Sequence, residues 1–241
     1  MNRIIVIDKP YGLTSSYVAN KLKNFLGAKK AGHSGTLDPI ATGVLVVFFD
    51  DMTKIIPYIN EEIKKYEVKI LLGLETDTLD IAGKITSLSM KSDYLNTDFN
   101  KVISAFIGEY IYQPPIYSAI KVKGVPSYRY AREGRDLELK DKKSIIDKIQ
   151  IIENGRSTLN LIVTSTKGTY IRALARDIGK SISSFGIVSK LRRLSTGKFS
   201  IENSNDFYSI LKGNKPDFFD IRRILPSLEI NQSISNRLFR E

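Results

Sequence analysis

The sequence predicts an α+β fold, because two periodicities recur along it and do so irregularly. Short apolar or alternating runs with strand character occur at 3–8, 44–49, 66–72, 145–152 and 159–164. Stretches with helical spacing occur at 15–26, 100–107 and 170–181. The two kinds do not follow the regular strand–helix–strand order of a doubly wound sheet. With 241 residues, 42% of them hydrophobic, the chain can bury one sizeable core, or a core and a small accessory lobe.

Arg3 to Asp8 reads RIIVID, a short apolar strand that stops at the Lys9-Pro10-Tyr11-Gly12 turn. Ser15 or Ser16 is placed to cap a helix with Val18, Leu22, Phe25 and Leu26 on one face, and Gly27 to end it. A loop from Gly32 to Gly43 leads into a continuous apolar strand, Val44 to Phe49. Asp51 is expected to cap a short helix through Ile56, stopped near Pro57. Tyr66, Val68, Ile70 and Leu72 alternate with charged or exposed positions, the period of a half-buried strand. Val102, Ile103, Phe106 and Ile107 mark a helix from Asn100 to Ile107. Strands around Ile145 to Ile152 and Leu159 to Thr164 precede a helix from about Tyr170 to Ser181, with Leu174 and Ile178 four apart.

The stretch from Gln113 to Lys143 stands apart. It opens with Pro114-Pro115 and is dense in Lys and Arg, with Tyr117, Tyr128 and Tyr130 interleaved. It reads as an excursion from the core. Rings among cations suit a nucleic-acid groove, where bases stack and phosphates pair; an ordinary solvated face carries the same residues.

Cysteine is absent, which excludes disulfides, thiolate catalysis and cysteine-based zinc sites. No apolar run approaches the roughly 20 residues of a membrane helix, and the N-terminus lacks a secretory signal. A cytoplasmic protein is the simplest reading. Lys plus Arg outnumber Asp plus Glu by 37 to 26, a net charge of +11. Such a surplus favours salt-dependent binding to nucleic acid, although the Lys, Ile and Asn content of an AT-rich genome would produce part of it.

The segment Gly32-His33-Ser34-Gly35-Thr36-Leu37-Asp38-Pro39-Ile40-Ala41-Thr42-Gly43 holds three glycines and a proline in twelve residues. Asp38 precedes Pro39, which biases it to extended geometry. A carboxylate on a rigid loop beside a buried strand suits catalysis, whereas a lone Asp-Pro is more often a simple turn. His33, the one histidine, has no partner histidine or cysteine, so no metal site is expected. It fits a ring that contacts or wedges a base.

GHSGTLDPIATGVL resembles the catalytic loop of the TruB family of pseudouridine synthases, G-H-x-G-x-L-D-P-x-A-T-G-x-L. Five further segments fall in the family's order. They are Lys9-Pro10-Tyr11-Gly12-Leu13-Thr14-Ser15; Lys65-Tyr66 with Thr76-Asp77-Thr78-Leu79-Asp80; Pro114 to Lys121, with Tyr130-Ala131-Arg132-Glu133-Gly134 beyond; Gly168-Thr169-Tyr170-Ile171-Arg172; and Leu191-Arg192-Arg193. Six motifs in order across residues 9 to 193 leave little room for coincidence.

The resemblance implies isomerisation of uridine 55 in the T-arm loop of tRNA to pseudouridine, with no metal or cofactor. Asp38 matches the essential aspartate, acting as nucleophile toward base or ribose, or as a base at the ribose. Arg172 matches the arginine that pairs with it, and Tyr66 the tyrosine stacked beside the target base. Tyr170 and Leu191 match positions lining the uracil pocket, and His33 the ring that fills space left by the everted nucleotide. The implied fold is a pseudouridine-synthase core: a mixed, largely antiparallel sheet with flanking helices and a central cleft, and residues 113–143 as a thumb-like insertion that orders on RNA. Residues 1–225 would form this catalytic domain, and the protein a monomer.

Two departures stand out. Tyr17 replaces a position often acidic in the family, and 226–241 are too few for the C-terminal PUA-like domain many members carry. A tRNA-binding folding chaperone with little catalysis is the alternative function; an aspartate-dependent hydrolase lacks both metal ligands and a phosphate loop. Without a PUA-like domain, tRNA affinity is expected to be lower and to fall more steeply with salt than in a full-length relative. Equal salt slopes for the two proteins would contradict this.

Overall fold

In the computed structural model, which describes residues 3–59, 63–91, 93–135 and 137–223, the two continuous apolar runs lie side by side. The chain opens with β1 (Ile4–Lys9), α1 (Ser15–Phe25), β2 (Ala31–Ser34), β3 (Ala41–Phe49), a 3-10 segment (Asp50–Tyr58) and β4 (Ile63–Leu72). It continues through β5 (Leu74–Thr76), β6 (Ile85–Leu88), α2 (Phe99–Ser104), β7 (Gly108–Tyr112), β8 (Lys121–Val122), β9 (Val125–Pro126) and α3 (Ser127–Arg132). Next come β10 (Lys142–Asn154), β11 (Thr158–Thr166), α4 (Ile171–Ser181), β12 (Gly186–Thr196), β13 (Phe199–Ser200), β14 (Asn205–Asp206) and α5 (Phe207–Leu211). The expected remnant at 226–241 lies outside the described residues.

Strand pairing is mixed but mostly antiparallel. β1–β3, β2–β3, β5–β6, β7–β10, β8–β9, β10–β11 and β12–β13 are antiparallel, and β1–β14 is parallel. This is the largely antiparallel α+β class that the irregular alternation predicts. Among the described residues no helix is long and apolar enough to cross a membrane.

The chain divides into two compact units, 1–65 with 192–241, and 66–191. In the first, strands follow the order β14-β1-β3-β12, with β2 on β3 and β13 on β12. β1 and β3 read as uninterrupted apolar runs because both of their faces are covered. One face packs Ile4, Val6, Val44, Val46 and Phe48 against Met52, Ile55 and Phe199. α1 lies against β2 and β3 and buries Val18, Ala19 and Leu22, while Phe25 stays half exposed.

In the second unit the order is β12-β4-β11-β10-β7. β4 carries Tyr66, Val68, Ile70 and Leu72 on its buried face, as the alternation predicts. β10 and β11 extend the two expected strands at both ends. α4 buries Ile171, Arg172, Ala173, Leu174, Ala175 and Ile178. Between β7 and β10 the chain forms a β8–β9 ribbon, turning at Lys123 and Gly124 with φ of 50° and 82°, the left-handed pair of a tight hairpin. α3 follows, and a 2.9 Å bond between the buried hydroxyls of Ser118 and Ser127 ties its first residue to the segment leading into β8.

Several local expectations are corrected. The 32–43 stretch is not all loop: β2 occupies 31–34, paired as Gly32↔Phe48 and His33↔Val47, and β3 starts at Ala41. The helix cap is Thr14, whose hydroxyl accepts from the Tyr17 N–H at 3.1 Å, because the Ser15 side chain turns into the core. Asp51 caps no α-helix; the segment is 3-10, Pro57 is inside it, and Phe49 precedes it. α2 starts at Phe99 under the Asp98 cap and stops at Ser104, since Phe106 and Ile107 form the turn into Gly108 (φ 101°).

One glycine is required by the first unit's sheet. Gly43 in β3 has φ 97°, and a Cβ there would lie 2.2 Å from the Arg193 carbonyl oxygen. Gly43→Ala therefore combines left-handed strain with a backbone clash. Urea unfolding is expected to show a loss of about 3 kcal/mol or more; a change under about 0.5 kcal/mol would contradict the close approach.

Candidate active site

The first unit holds His33 on β2 and Asp38, five residues later, on the stretch joining β2 to β3. Asp38 is half-buried, and the residues on either side of it are pinned. The buried Ser15 hydroxyl accepts from the Leu37 N–H at 2.9 Å and donates to the Leu37 carbonyl at 3.0 Å. Gly12 N–H donates to the Pro39 carbonyl at 2.8 Å, and Ala41 N–H to the Asp38 carbonyl at 3.0 Å. Neutral side-chain-to-backbone pairs of this kind contribute roughly 1 kcal/mol each, and more is lost if one buried partner is left alone.

Two buried cations complete the frame. Lys9, 0% exposed, donates to the carbonyls of Pro10 at 2.9 Å, Leu13 at 2.7 Å and, longer, Pro39 at 3.4 Å. Arg193, also 0% exposed, donates to the Val44 carbonyl at 2.7 Å and the Gly35 carbonyl at 2.7 Å. The aspartate turn is thus held from both ends by long-range donors. Arg192 beside it makes a two-pronged pair with Asp8, at 3.0 and 2.6 Å. His33 is half-buried on β2, its Nε2 3.4 Å from the Ser16 hydroxyl.

Burial pushes the Lys9 ammonium down to about 8, against the attraction of Asp38, which raises it, with Arg193 repulsion adding to the fall. Lys9 therefore carries its charge at neutral pH and lends positive potential to the neighbouring carboxylate.

The second unit holds Tyr66, Tyr170, Arg172 and Leu191. Tyr66 and Leu191 are buried on β4 and β12, neighbours in the strand order. Tyr170 is the N-cap of α4, which places Arg172 in the first turn. The buried Arg172 guanidinium donates to the Thr78 carbonyl at 2.8 Å and the Tyr117 carbonyl at 2.9 Å, with Asp80 4.0 Å from Nε. The 76–80 turn that it grips is tight. The Thr76 hydroxyl donates to the Asp80 carbonyl at 2.7 Å, and the Thr78 hydroxyl to the Asp80 carboxylate at 2.7 Å. Leu79 sits at φ 60°, strain that this bonding sustains. In the 113–143 stretch, Arg132 lies 5.5 Å from the Tyr128 ring and Arg135 4.6 Å from the Tyr130 ring, so these cations and rings interact within the segment.

The sequence singles out candidate site residues but not the groups that support them. Lys9 carried a signal, a lysine closing an apolar core strand before Pro10. Ser15 and Arg193 carried none, since nothing local tells an inward serine from a cap or a buried arginine from an exposed one.

The Lys9 charge has a measurable consequence. Its folded value, about 8, lies below the unfolded 10.5, so between those pH values the unfolded chain binds more protons. Stability relative to Lys9→Met is therefore expected to rise as pH climbs from about 8 to 10.5, by at most about 1.4 kcal/mol per pH unit, and to be flat below that window. A pH-independent difference in urea unfolding would contradict it.

Residues 23–171 match the TruB family pseudouridylate synthase N-terminal domain. The chain is 41% identical over 207 residues to a tRNA pseudouridine synthase B of Francisella philomiragia, covering 86% of this chain and 68% of that one. It is 40% identical over 218 residues to the same-named protein of Clostridium tetani, covering 90% and 75%. Among solved structures, one of a Cbf5-Nop10-Gar1 complex aligns with a TM-score of 0.67 at 26% identity, over 87% of this chain and 54% of that one. An archaeal Nop10-Cbf5 complex aligns with a TM-score of 0.64 at 24% identity, over 88% and 53%, a likeness of fold. The family match spans more than half of the chain and the relatives cover most of it: this chain belongs to the TruB family of pseudouridylate synthases and is an isomerase.

Proposed function

We propose that the protein converts uridine 55 in the T-arm loop of tRNA to pseudouridine. The relatives named tRNA pseudouridine synthase B support the substrate. The observation that carries the chemistry is the bracing of the backbone on either side of Asp38, by Ser15 at Leu37 and by Lys9 and Gly12 at the Pro39 carbonyl. A turn so held loses little freedom when the carboxylate it carries reaches its working geometry. In the proposed reaction the C1′–N1 bond breaks, the uracil turns over, C5 bonds to C1′, and the C5 proton is lost while N1 is protonated.

Asp38 acts on the everted nucleotide, as nucleophile or as base at the ribose. Arg172 supplies the guanidinium that pairs with it and aims it. Tyr66 stacks beside the uracil and assists removal of the C5 proton, Tyr170 and Leu191 line the base, and His33 occupies the space the nucleotide leaves. Eversion is required because a stacked uridine cannot present C1′ or C6 to a carboxylate, and it costs a few kcal/mol. Contacts with the rest of the T arm offset that cost, with residues 113–143 as the thumb closing over the RNA and 1–225 as the catalytic domain of a monomer.

Asp38→Asn is isosteric and tests the assignment. Pseudouridine at position 55 of unmodified tRNA is expected to fall by at least about 10³-fold, with tRNA affinity within about 0.5 kcal/mol of wild type. A wild-type protein that binds tRNA and makes no pseudouridine would instead support the chaperone reading.

A further inference from the structure

α4 begins without a side-chain cap of its own. Its N-cap, Tyr170, makes no capping bond, and Gly168 just before it sits at φ 88°. Within the turn, Thr169 reaches back through its N–H at 3.5 Å and its hydroxyl at 2.9 Å, both to the Thr166 carbonyl. Those local bonds are weak support for a segment that carries Tyr170 and Arg172.

β7 supplies what the turn lacks. Tyr110 and Tyr112 are two apart on the strand, share one face and are buried, and their rings stack with centroids 4.8 Å apart at 14°. The Tyr112 hydroxyl donates to the Gly168 carbonyl, and its ring lies 6.2 Å from the Tyr170 ring. The Tyr110 hydroxyl donates to the Asp177 carboxylate at 2.6 Å, and Asp177 also accepts from the Arg176 guanidinium at 2.8 and 3.1 Å. β7 therefore grips α4 at two points, one before its first turn and one in its interior.

We propose that Tyr112, braced by its stack on Tyr110, is a positioning residue for uridine isomerisation: its hydroxyl latches the Gly168 carbonyl and fixes the helix start that presents Tyr170 and Arg172 to the nucleotide. This rests on the roles assigned to Tyr170 and Arg172 above. Burial pushes the Tyr112 hydroxyl up to about 12 and the neighbouring Tyr170 phenol adds to the rise, partly offset by a backbone hydrogen bond from Tyr170. The latch therefore remains a donor throughout any ordinary assay range. Losing it frees the turn to shift, and a shift approaching 1 Å at a reacting group can cost on the order of 10²-fold in rate.

Tyr112→Phe keeps the ring and its stacking and removes only the latch; Tyr110→Phe removes the grip on Asp177 and leaves Gly168 held. Pseudouridine formation in unmodified tRNA is measured for wild type and both variants, as kcat and KM, together with thermal unfolding. Tyr112→Phe is expected to lower kcat by about 10-fold or more with KM little changed, whereas Tyr110→Phe lowers Tm and keeps kcat near wild type. Wild-type kcat in Tyr112→Phe, or equal kcat losses in the two variants that track their Tm losses, would overturn the inference alone. A wild type that makes no pseudouridine would overturn the proposed function and this inference with it.

Discussion

The buried ammonium of Lys9 is the contact on which the aspartate loop depends. Taking a cation out of water costs several kcal/mol unless it is fully solvated by protein groups. Here the carbonyls of Pro10, Leu13 and Pro39 surround it and Asp38 attracts it. In return it gathers three loop carbonyls that no strand or helix would satisfy. The 10–13 turn and the 38–39 turn are held to one point at the end of β1, and that point is opposite Gly43 in β3.

The second unit uses the same device. Arg172 spends its fork on the carbonyls of Thr78 and Tyr117, residues 94 and 55 positions away in sequence, and sits beside Asp80. A planar guanidinium suits this role better than an ammonium, because its donors point in fixed directions and join two segments at once. Arg193 does likewise in the first unit with Gly35 and Val44. In a chain of net charge +11, part of the positive charge is therefore structural. The same cations also contribute a local potential favourable to anionic groups.

Much of the architecture was legible. The alternation 66–72 returns as the buried face of β4, and the uninterrupted run 44–49 as a strand covered on both sides. Failures cluster where tertiary partners override local preference. β2 was read as loop because glycine, histidine and serine are poor strand formers, and only pairing with β3 makes Ala31–Ser34 a strand. Ser15 or Ser16 is the cap the sequence suggests, but the Ser15 hydroxyl is taken by Leu37 and Thr14 caps the helix. For the site, composition alone leaves Asp38 a turn former and Tyr66 a core residue. The ordered motifs singled them out, while Lys9, Ser15, Arg193 and Tyr112 went unread as supports.

The sequence by itself determined which faces of strands and helices are apolar and the family to which the chain belongs, and it singled out the candidate site residues. Periodicity and motif spacing act over a few residues, and both are written in the order of the side chains. Only the tertiary structure decided where each loop carbonyl and each inward hydroxyl finds its partner. The bonds that close the site's frame include pairs 22 apart, Ser15 and Leu37, and 158 apart, Gly35 and Arg193, and no local preference reaches so far.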